Sequence, residues 1–458
     1  MSGQAQATIP THHRSIQEKI ETGQVKAALA EALQWLEIDP LDRQVLDQAA
    51  TCYRTLGDGK TALSLLRVIS QHWPDDPQAW GRAGAMALLL GDREGAAHAY
   101  EQAVKLKPRS AHALAALNRL APFQRDGRRA RLLRQITRNA GYPSGERAVA
   151  WNALGRIEDR AERPRAALHC FSRAKSLSPG QYHPGAMEAL LEAQKALYHA
   201  PKPASGGARL IFVVGLPRSG TTLTESILAC HPQVQSIGES YALQESLAAA
   251  RHLAGDAWGW QGLDEAQWKA LRQHFLERAE LLSDAPVIVS KMPMDCLNIG
   301  YAAHLWPEAR FVVMDRHPLD TGLSNFTTHF HDTHGFSKRF DWIGHLTRIV
   351  EEATQDYREK LGERVRIQSY RALVQDPPAA IAALLDHTRL DWCDACLTPE
   401  RRPGGIRTAS LIQVREGINQ SGLGTWKAYN GLLDPLVAAL GGDAYLDAWA
   451  ARDAAREE

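Results

Sequence analysis

Two patterns of apolar positions divide the chain. Over the first two hundred residues the apolar positions keep helical spacing, and small residues recur at a fixed period. Gly23, Gly57 and Gly91 are spaced by 34 residues, as are Ala28, Ala62 and Ala96, and as are Pro40, Pro74 and Pro108. Each trio marks one place in a helix-turn-helix unit. The glycine ends the first helix in a tight turn, the alanine lets two helices approach closely, and the proline closes the second helix. After the segment PKPASGG, residues 201–207, short β-branched runs alternate with helical stretches. RLIFVV (209–214), VQSI (234–237), PVIVS (286–290), RFVVM (310–314) and RVRIQS (364–369) read as buried strands. The helical segments between them predict a mostly parallel sheet covered on both faces.

The 34-residue unit resembles the tetratricopeptide repeat. Its clearest copy runs from Pro77 to Pro108, with Trp80, Gly84, Ala96, Tyr100 and Ala103 at helical spacing. Trp151, Gly155, Ala167, Phe171, Ala174 and Pro179 form another copy, two periods plus three residues downstream. The stretch between, 109–147, is a degraded, arginine-rich repeat (RDGRRARLLRQITR), read either as an anion-binding patch or as a solvated helix face. A capping helix is expected near residues 183–199. The expected architecture is therefore an all-α tetratricopeptide solenoid over residues 1–200, a linker at 201–207, and a three-layer α/β/α domain over 208–458. Such an array either holds a peptide or partner on its concave surface or serves as a scaffold.

Charge narrows the partners. Lys and Arg number 53 against 52 Asp and Glu, a net charge of +1, so no whole-protein field draws nucleic acid or an acidic membrane. No apolar run approaches the roughly 18–20 residues that span a bilayer, and the first residues lack a signal pattern. Six cysteines in 458 residues suit a reducing compartment, and a cytoplasmic location is expected.

The chemistry gathers in the second half. RLIFVV leads into GLPRSGTTLTESILACHP, where Gly215 and Gly220 have phosphate-loop spacing and a helical stretch follows. A nucleotide hydrolase needs Lys after the second glycine, but Thr221 stands there, and the positive charge is Arg218 inside the loop. In parallel sheets ligands bind beyond the carboxyl ends of strands. Standing at those ends are PRSGTT, Gly238-Glu239-Ser240, Lys291, Arg316 and Tyr370. A carboxylate, two cations and a phenol thus surround one phosphate loop. Cys393 and Cys396 form an isolated CxxC, read as two thiols rather than a zinc or redox site. His329, His331 and His334 read as loop or channel lining.

Residues 209–429 resemble the PAPS-dependent sulfotransferases, specifically the protein-tyrosine sulfotransferases and their bacterial tetratricopeptide-linked relatives. The resemblance implies that Arg218, Ser219, Gly220, Thr221 and Thr222 hold the 5′-phosphosulfate, and that Arg316 and Ser324 in RHPLDTGLSNF grip the 3′-phosphate. It implies Glu239 as general base, and Lys291 and Ser410 as groups that stabilise the transition state. Tyr370 in YRALVQDP lines the 3′-phosphate side, and a flap carrying Ser410, Gln413, Val414 and Arg415, followed by Gly424-Thr425-Trp426-Lys427, closes over the nucleotide. Two departures stand out: Thr328 and His329 where a second basic residue is usual, and Arg415-Glu416-Gly417 where a proline often follows the basic residue. The implied reaction moves a sulfuryl group from PAPS, leaving PAP, without a metal. The expected acceptor is a tyrosine of a peptide or protein, docked by the repeats, with a saccharide, lipid or small phenol as alternatives. Arg251, His252, His329 and His331, extended by Arg128 to Arg134, are candidates for a basic acceptor groove. A homodimer is a further expectation. A P-loop kinase and a non-catalytic repeat scaffold are the competing readings.

Overall fold

The computed structural model describes residues 11–178, 180–197, 209–256, 258–279, 286–330, 334–402 and 417–456. By packing, the chain forms two compact units, one through Ala161 and one from Glu162 onward.

The first unit is all helical. Its elements are α1 (Thr11–Glu21), α2 (Val25–Ile38), α3 (Arg43–Thr55), α4 (Gly59–His72), α5 (Pro77–Leu89), α6 (Arg93–Leu106), α7 (Ala111–Leu120), α8 (Arg128–Arg138) and α9 (Ser144–Arg160). Each of the first seven helices packs on the next. The periodic residues explain this. Gly23, Gly57 and Gly91 turn the chain at φ of 77°, 89° and 86°, where a side chain would be strained. Ala28, Ala62 and Ala96 are fully buried between helices. Helix caps share the same period. Asp42, Asp76 and Ser110 accept backbone N–H bonds at the starts of α3, α5 and α7, and Asp58 and Asp92 do so for α4 and α6. The degraded repeat still folds as α7 and α8; Arg128, Arg131 and Arg138 are exposed, and three of its other arginines meet protein partners. Arg129 bonds Glu101 at 2.6 Å, Arg134 donates to the Arg125 carbonyl at 2.9 Å, and Arg125 meets Glu158 at 3.2 Å.

The second unit begins with α10 (Pro164–Leu177) and α11 (Pro184–Leu197). The sequence period assigns α10 to the last repeat, but it packs within the sheet unit, fixed there by Lys175. That side chain is buried and donates to the carbonyls of Asn325 (3.3 Å) and Thr328 (2.8 Å) and to Ser337 Oγ (2.8 Å). The linker at 201–207 lies outside the described residues.

Five strands follow: β1 (Arg209–Val214), β2 (Val234–Gly238), β3 (Val287–Lys291), β4 (Arg310–Asp315) and β5 (Val365–Ser369). All pair in parallel, in the order β2-β3-β1-β4-β5. Alternate residues of the central strands face opposite cores. Phe212, Ile288, Phe311 and Val313 enter one, and Ile211, Val213, Val289 and Val312 the other. The first core is covered by α13 (Ala242–Ala254), α14 (Glu265–Arg278), α15 (Ile299–Leu305), α16 (Pro318–Thr327) and α17 (Phe340–Leu361). The second is covered by α12 (Thr221–Leu228), α18 (Tyr370–Gln375) and α19 (Pro377–His387). Helices α20 (Asp434–Leu440) and α21 (Asp443–Ala454) close the chain, α20 against α17. The three-layer α/β/α domain expected from the sequence is present.

Candidate active site

The strand order sets the site. Chain order places the loop first, but the sheet places β1 in the middle. At the carboxyl edge the sequence of groups therefore becomes Glu239 (after β2), Lys291 (ending β3), the loop PRSGTT (after β1), Arg316 (after β4) and Tyr370 (after β5). Neighbouring strands lie about 4.8 Å apart, so these groups form one continuous row. The chain runs to β2 on one side of β1 and to β4 on the other, and such reversals open ligand crevices in parallel sheets.

The loop itself is built on special backbone. Gly215 has φ 138°, and a Cβ there would lie 2.8 Å from the Met314 carbonyl oxygen. Arg218 adopts φ 72°, rare for a residue with a side chain, and Gly220 caps α12 at φ 113°. A Cβ on Gly220 would come within 2.6 Å of the Tyr370 ring. Thr221 and Thr222 open α12, whose eight residues are all buried, and its first N–H groups point back at the loop.

On the β4 side the loop is clamped to α16. Arg218 Nε donates to Ser324 Oγ at 3.0 Å, Arg316 donates to the Arg218 carbonyl at 2.8 Å, and Asn325 donates to the Pro217 carbonyl at 2.7 Å. Arg316 also donates to the Gly422 carbonyl and lies over the Tyr370 ring, 4.8 Å from its centre. Burial lowers the Arg316 pKa and raises that of Tyr370, each opposed by the charge of the other. Arg218, Gly220, Thr222, Arg316, Tyr370 and Gly422 line one cavity. Ser219 Oγ and Arg316 Nε are buried with no hydrogen-bond partner among the described residues. Two guanidinium groups, one with a buried N–H left over, and a helix N-terminus around one cavity suit an anionic ligand such as a phosphate.

On the β2–β3 side stand the groups suited to proton and charge transfer. Lys291 is fully buried, and its Nζ lies 2.5 Å from Glu239 Oε1 and 3.7 Å from Glu225 Oε2. Glu239 is about one-third exposed, open to an incoming group. Glu225 is buried on α12. Its Oε1 accepts from Ser236 Oγ at 2.6 Å and from Arg402 at 3.2 Å. This carboxylate ties the loop helix, the end of β2 and the strand-end lysine together.

Sequence reasoning did not single out Glu225, Asn325 or Lys175. The sequence of α12, TTLTESIL, carries five polar residues and gave no signal that Glu225 is buried; that follows from the packing of the whole helix. Asp320, also buried, accepts from Gly424 N (2.8 Å), Thr425 Oγ1 (2.7 Å) and Trp426 N (3.0 Å), fixing the Gly-Thr-Trp segment to the start of α16. Lys427, next in that segment, is exposed and is not among the cavity-lining residues. Where a basic residue was missed at Thr328 and His329, the end of α16 receives the Lys175 ammonium from α10. Ser410, Gln413, Val414, Arg415 and His331 lie outside the described residues. Arg251 lies over Trp258, His252 is exposed, and the arginines from Arg128 to Arg134 belong to the other compact unit. The Cys396 thiol is pushed up to about 12 by burial, hydrogen-bonded to Cys393, and no disulfide joins the described cysteines. No described helix is long and apolar enough to cross a membrane.

The sequence profile described as "Sulfotransferase family" matches residues 210–394. A putative protein-tyrosine sulfotransferase of Caenorhabditis briggsae is 33% identical over 233 residues, 48% of this chain and 80% of that protein. An uncharacterised protein of Aquifex aeolicus is 32% identical over 244 residues, 51% of this chain. The match spans only 32% of the length of the Aquifex protein. Among solved structures, the sulfotransferase domain of an olefin synthase from Synechococcus PCC 7002 aligns over 52% of this chain and 96% of that domain, at 18% identity and a TM-score of 0.35.

Proposed function

We propose that this chain, which belongs to the sulfotransferase family, transfers a sulfuryl group from PAPS to the hydroxyl of a tyrosine in a peptide or protein. The observation that carries the reading is the row along the sheet edge: transfer groups on one side of the phosphate loop, nucleotide-matching groups on the other. PAPS would supply the sulfuryl group and, in its phosphate, the leaving group.

Each residue has a task that its surroundings support. The loop N–H groups, Thr221 and Thr222 would hold the 5′-phosphate, and Arg316 with Ser324 the 3′-phosphate. Lys291 carries positive charge to the point where the loop and β3 meet, where a departing oxygen gains negative charge. Glu239 is the exposed carboxylate of the row and would accept the acceptor's proton, a role worth about 10²- to 10⁴-fold. Lys291 holds Oε1 at 2.5 Å, and the second carboxylate oxygen keeps lone pairs with which to take the proton. Ser410 is assigned to the sulfuryl oxygens, and Arg415 and Lys427 to the nucleotide, by family resemblance alone. The tyrosine acceptor rests on the protein-tyrosine sulfotransferase named among the relatives, and peptide docking by the repeats rests on the periodic helix pairs. A cytoplasmic setting accords with six cysteines and no disulfide among those described.

The test is incubation with PAPS and a library of acidic tyrosine peptides, read as a mass gain of one sulfate, beside calorimetry with PAP and ATP. Peptide sulfation with tight PAP binding supports the reading. Sulfation of phenols or sugars alone would overturn the tyrosine acceptor, and binding of ATP without PAP would overturn the sulfotransferase.

A further inference from the structure

The first unit holds a side-chain cluster that sulfuryl transfer does not use. At the start of α1, His12 and His13 both direct Nε2 at one carboxylate oxygen, Oδ2 of Asp42, at 3.3 and 2.7 Å. One ligand atom from each residue lies within 4.8 Å of the others. His12 is oriented by stacking on Trp35, with ring centres 3.9 Å apart. Asp42 divides its work: Oδ1 caps α3 by accepting from Gln44 N and Val45 N, which leaves Oδ2 to the histidines.

Two buried atoms of this region have no partner among the described residues, His13 Nδ1 and Gln48 Oε1. Their residues are already joined, because Gln48 Nε2 donates to the His13 carbonyl at 2.7 Å. No hydrogen bond joins these two atoms, whichever role the His13 tautomer gives Nδ1. A ring whose Nε2 is taken by a cation carries its proton on Nδ1, and a glutamine oxygen is then a suitable acceptor. Metal-bound histidines commonly donate their second N–H in this way.

We propose that His12, His13 and Asp42 bind a divalent transition-metal ion, Zn²⁺ foremost, that clasps α1 to the capped start of α3. Two imidazoles and one carboxylate suit Zn²⁺ and its neighbours and do not suit Mg²⁺ or Ca²⁺, which take oxygen ligands.

The experiment uses the full chain, stripped with chelator and titrated with ZnCl₂ by calorimetry and thermal melting. One ion should bind in the micromolar range or tighter and raise the melting temperature. His12→Ala and Asp42→Asn, the latter keeping a good helix cap, should each weaken Zn²⁺ by at least about tenfold. The wild-type chain loaded with Co²⁺ should show no thiolate charge-transfer band, a readout that needs no variant to fold. Absence of saturable binding, equal uptake of Mg²⁺, unchanged Zn²⁺ affinity in the variants, or a thiolate band from cysteine ligation would each overturn the site. Protonation of His13 instead of metal binding would appear as a melting temperature that follows pH and ignores Zn²⁺, which also overturns it.

Discussion

The two compact units treat most of their charge differently, although Glu158 of the helical unit is buried beside Arg125. In the helical unit, ion pairs such as Arg43–Asp76, Arg67–Asp92 and Arg82–Asp47 sit on half-exposed surface and join one repeat to the next. Its interior is filled largely by alanine and leucine. In the sheet unit Lys291, Glu225, Asp295, Asp320 and Lys175 are buried, and their partners come from distant parts of the chain. Surface pairs contribute little, and buried charges cost several kcal/mol to desolvate, so neither set is explained by stability alone. The repeats use charge to fix register. The sheet unit buries charge near the carboxyl ends of its strands, where chemistry needs it.

Acidity offers the largest break in that comparison. Asp295, four residues past Lys291, is buried, and desolvation pushes its carboxyl up to about 7 against hydrogen bonds from Asn298 and Gln244. A carboxyl whose folded value lies above its unfolded one, about 3.9, favours the folded state only while protonated. Its contribution is complete below about pH 4 and is lost as pH rises to about 7. At about 1.4 kcal/mol per unit, the loss is on the order of a few kcal/mol. Asp295→Asn should therefore flatten the pH dependence of denaturant unfolding and raise stability at pH 8 relative to wild type. Parallel pH profiles for the two proteins would remove this charge from the comparison.

The strand-end groups come next. Lys291→Ala and Glu239→Gln should each cut sulfuryl transfer by a hundredfold or more, about 3 kcal/mol of barrier, with PAP affinity largely kept. Arg316→Ala should do the reverse and weaken PAP by about 1.5–3 kcal/mol, the worth of a charge-assisted hydrogen bond. Unchanged PAP affinity in that variant would detach the RHPLD segment from the 3′-phosphate.

Glu225 gives a smaller effect and a finer test. Glu225→Gln keeps an acceptor for Ser236 and Arg402 and removes the charge that faces both Lys291 and Arg402. Turnover should fall about tenfold, roughly 1.4 kcal/mol, with melting temperature and PAP affinity near wild type. Glu225→Ala should lose stability as well. Equal turnover in Glu225→Gln and wild type would make this carboxylate purely structural.

Most of the fold could be read from spacing. The 34-residue trios predicted the turns at Gly23, Gly57 and Gly91, and β-branched runs predicted all five strands within one residue. Local pattern carries this information because helix and strand periods are local properties. The row of site groups was legible as membership but not as order, because strand pairing is a long-range choice that sends β1 to the centre. Lys175 was hidden for the same reason. Its partners lie 150 to 162 residues away, and nothing in its own helix marks it.

The smallest effect should come from the repeats. Arg82 and Asp47 pair across 35 residues with side chains 43% and 28% exposed, and neither caps a helix. Arg43–Asp76 is similar, but Asp76 also caps α5, so its removal would mix two effects. A double-mutant cycle on Arg82→Ala and Asp47→Ala therefore isolates one surface pair. Solvent screens it on both sides, and two long side chains lose freedom when they meet. The coupling should fall between about 0.2 and 1 kcal/mol. At about 1 M salt the screening length shrinks to roughly 3 Å, and the coupling should fade. A coupling of about 2 kcal/mol or more that survives salt would mean that the repeats, too, rely on desolvated charge, and the contrast between the units would fail.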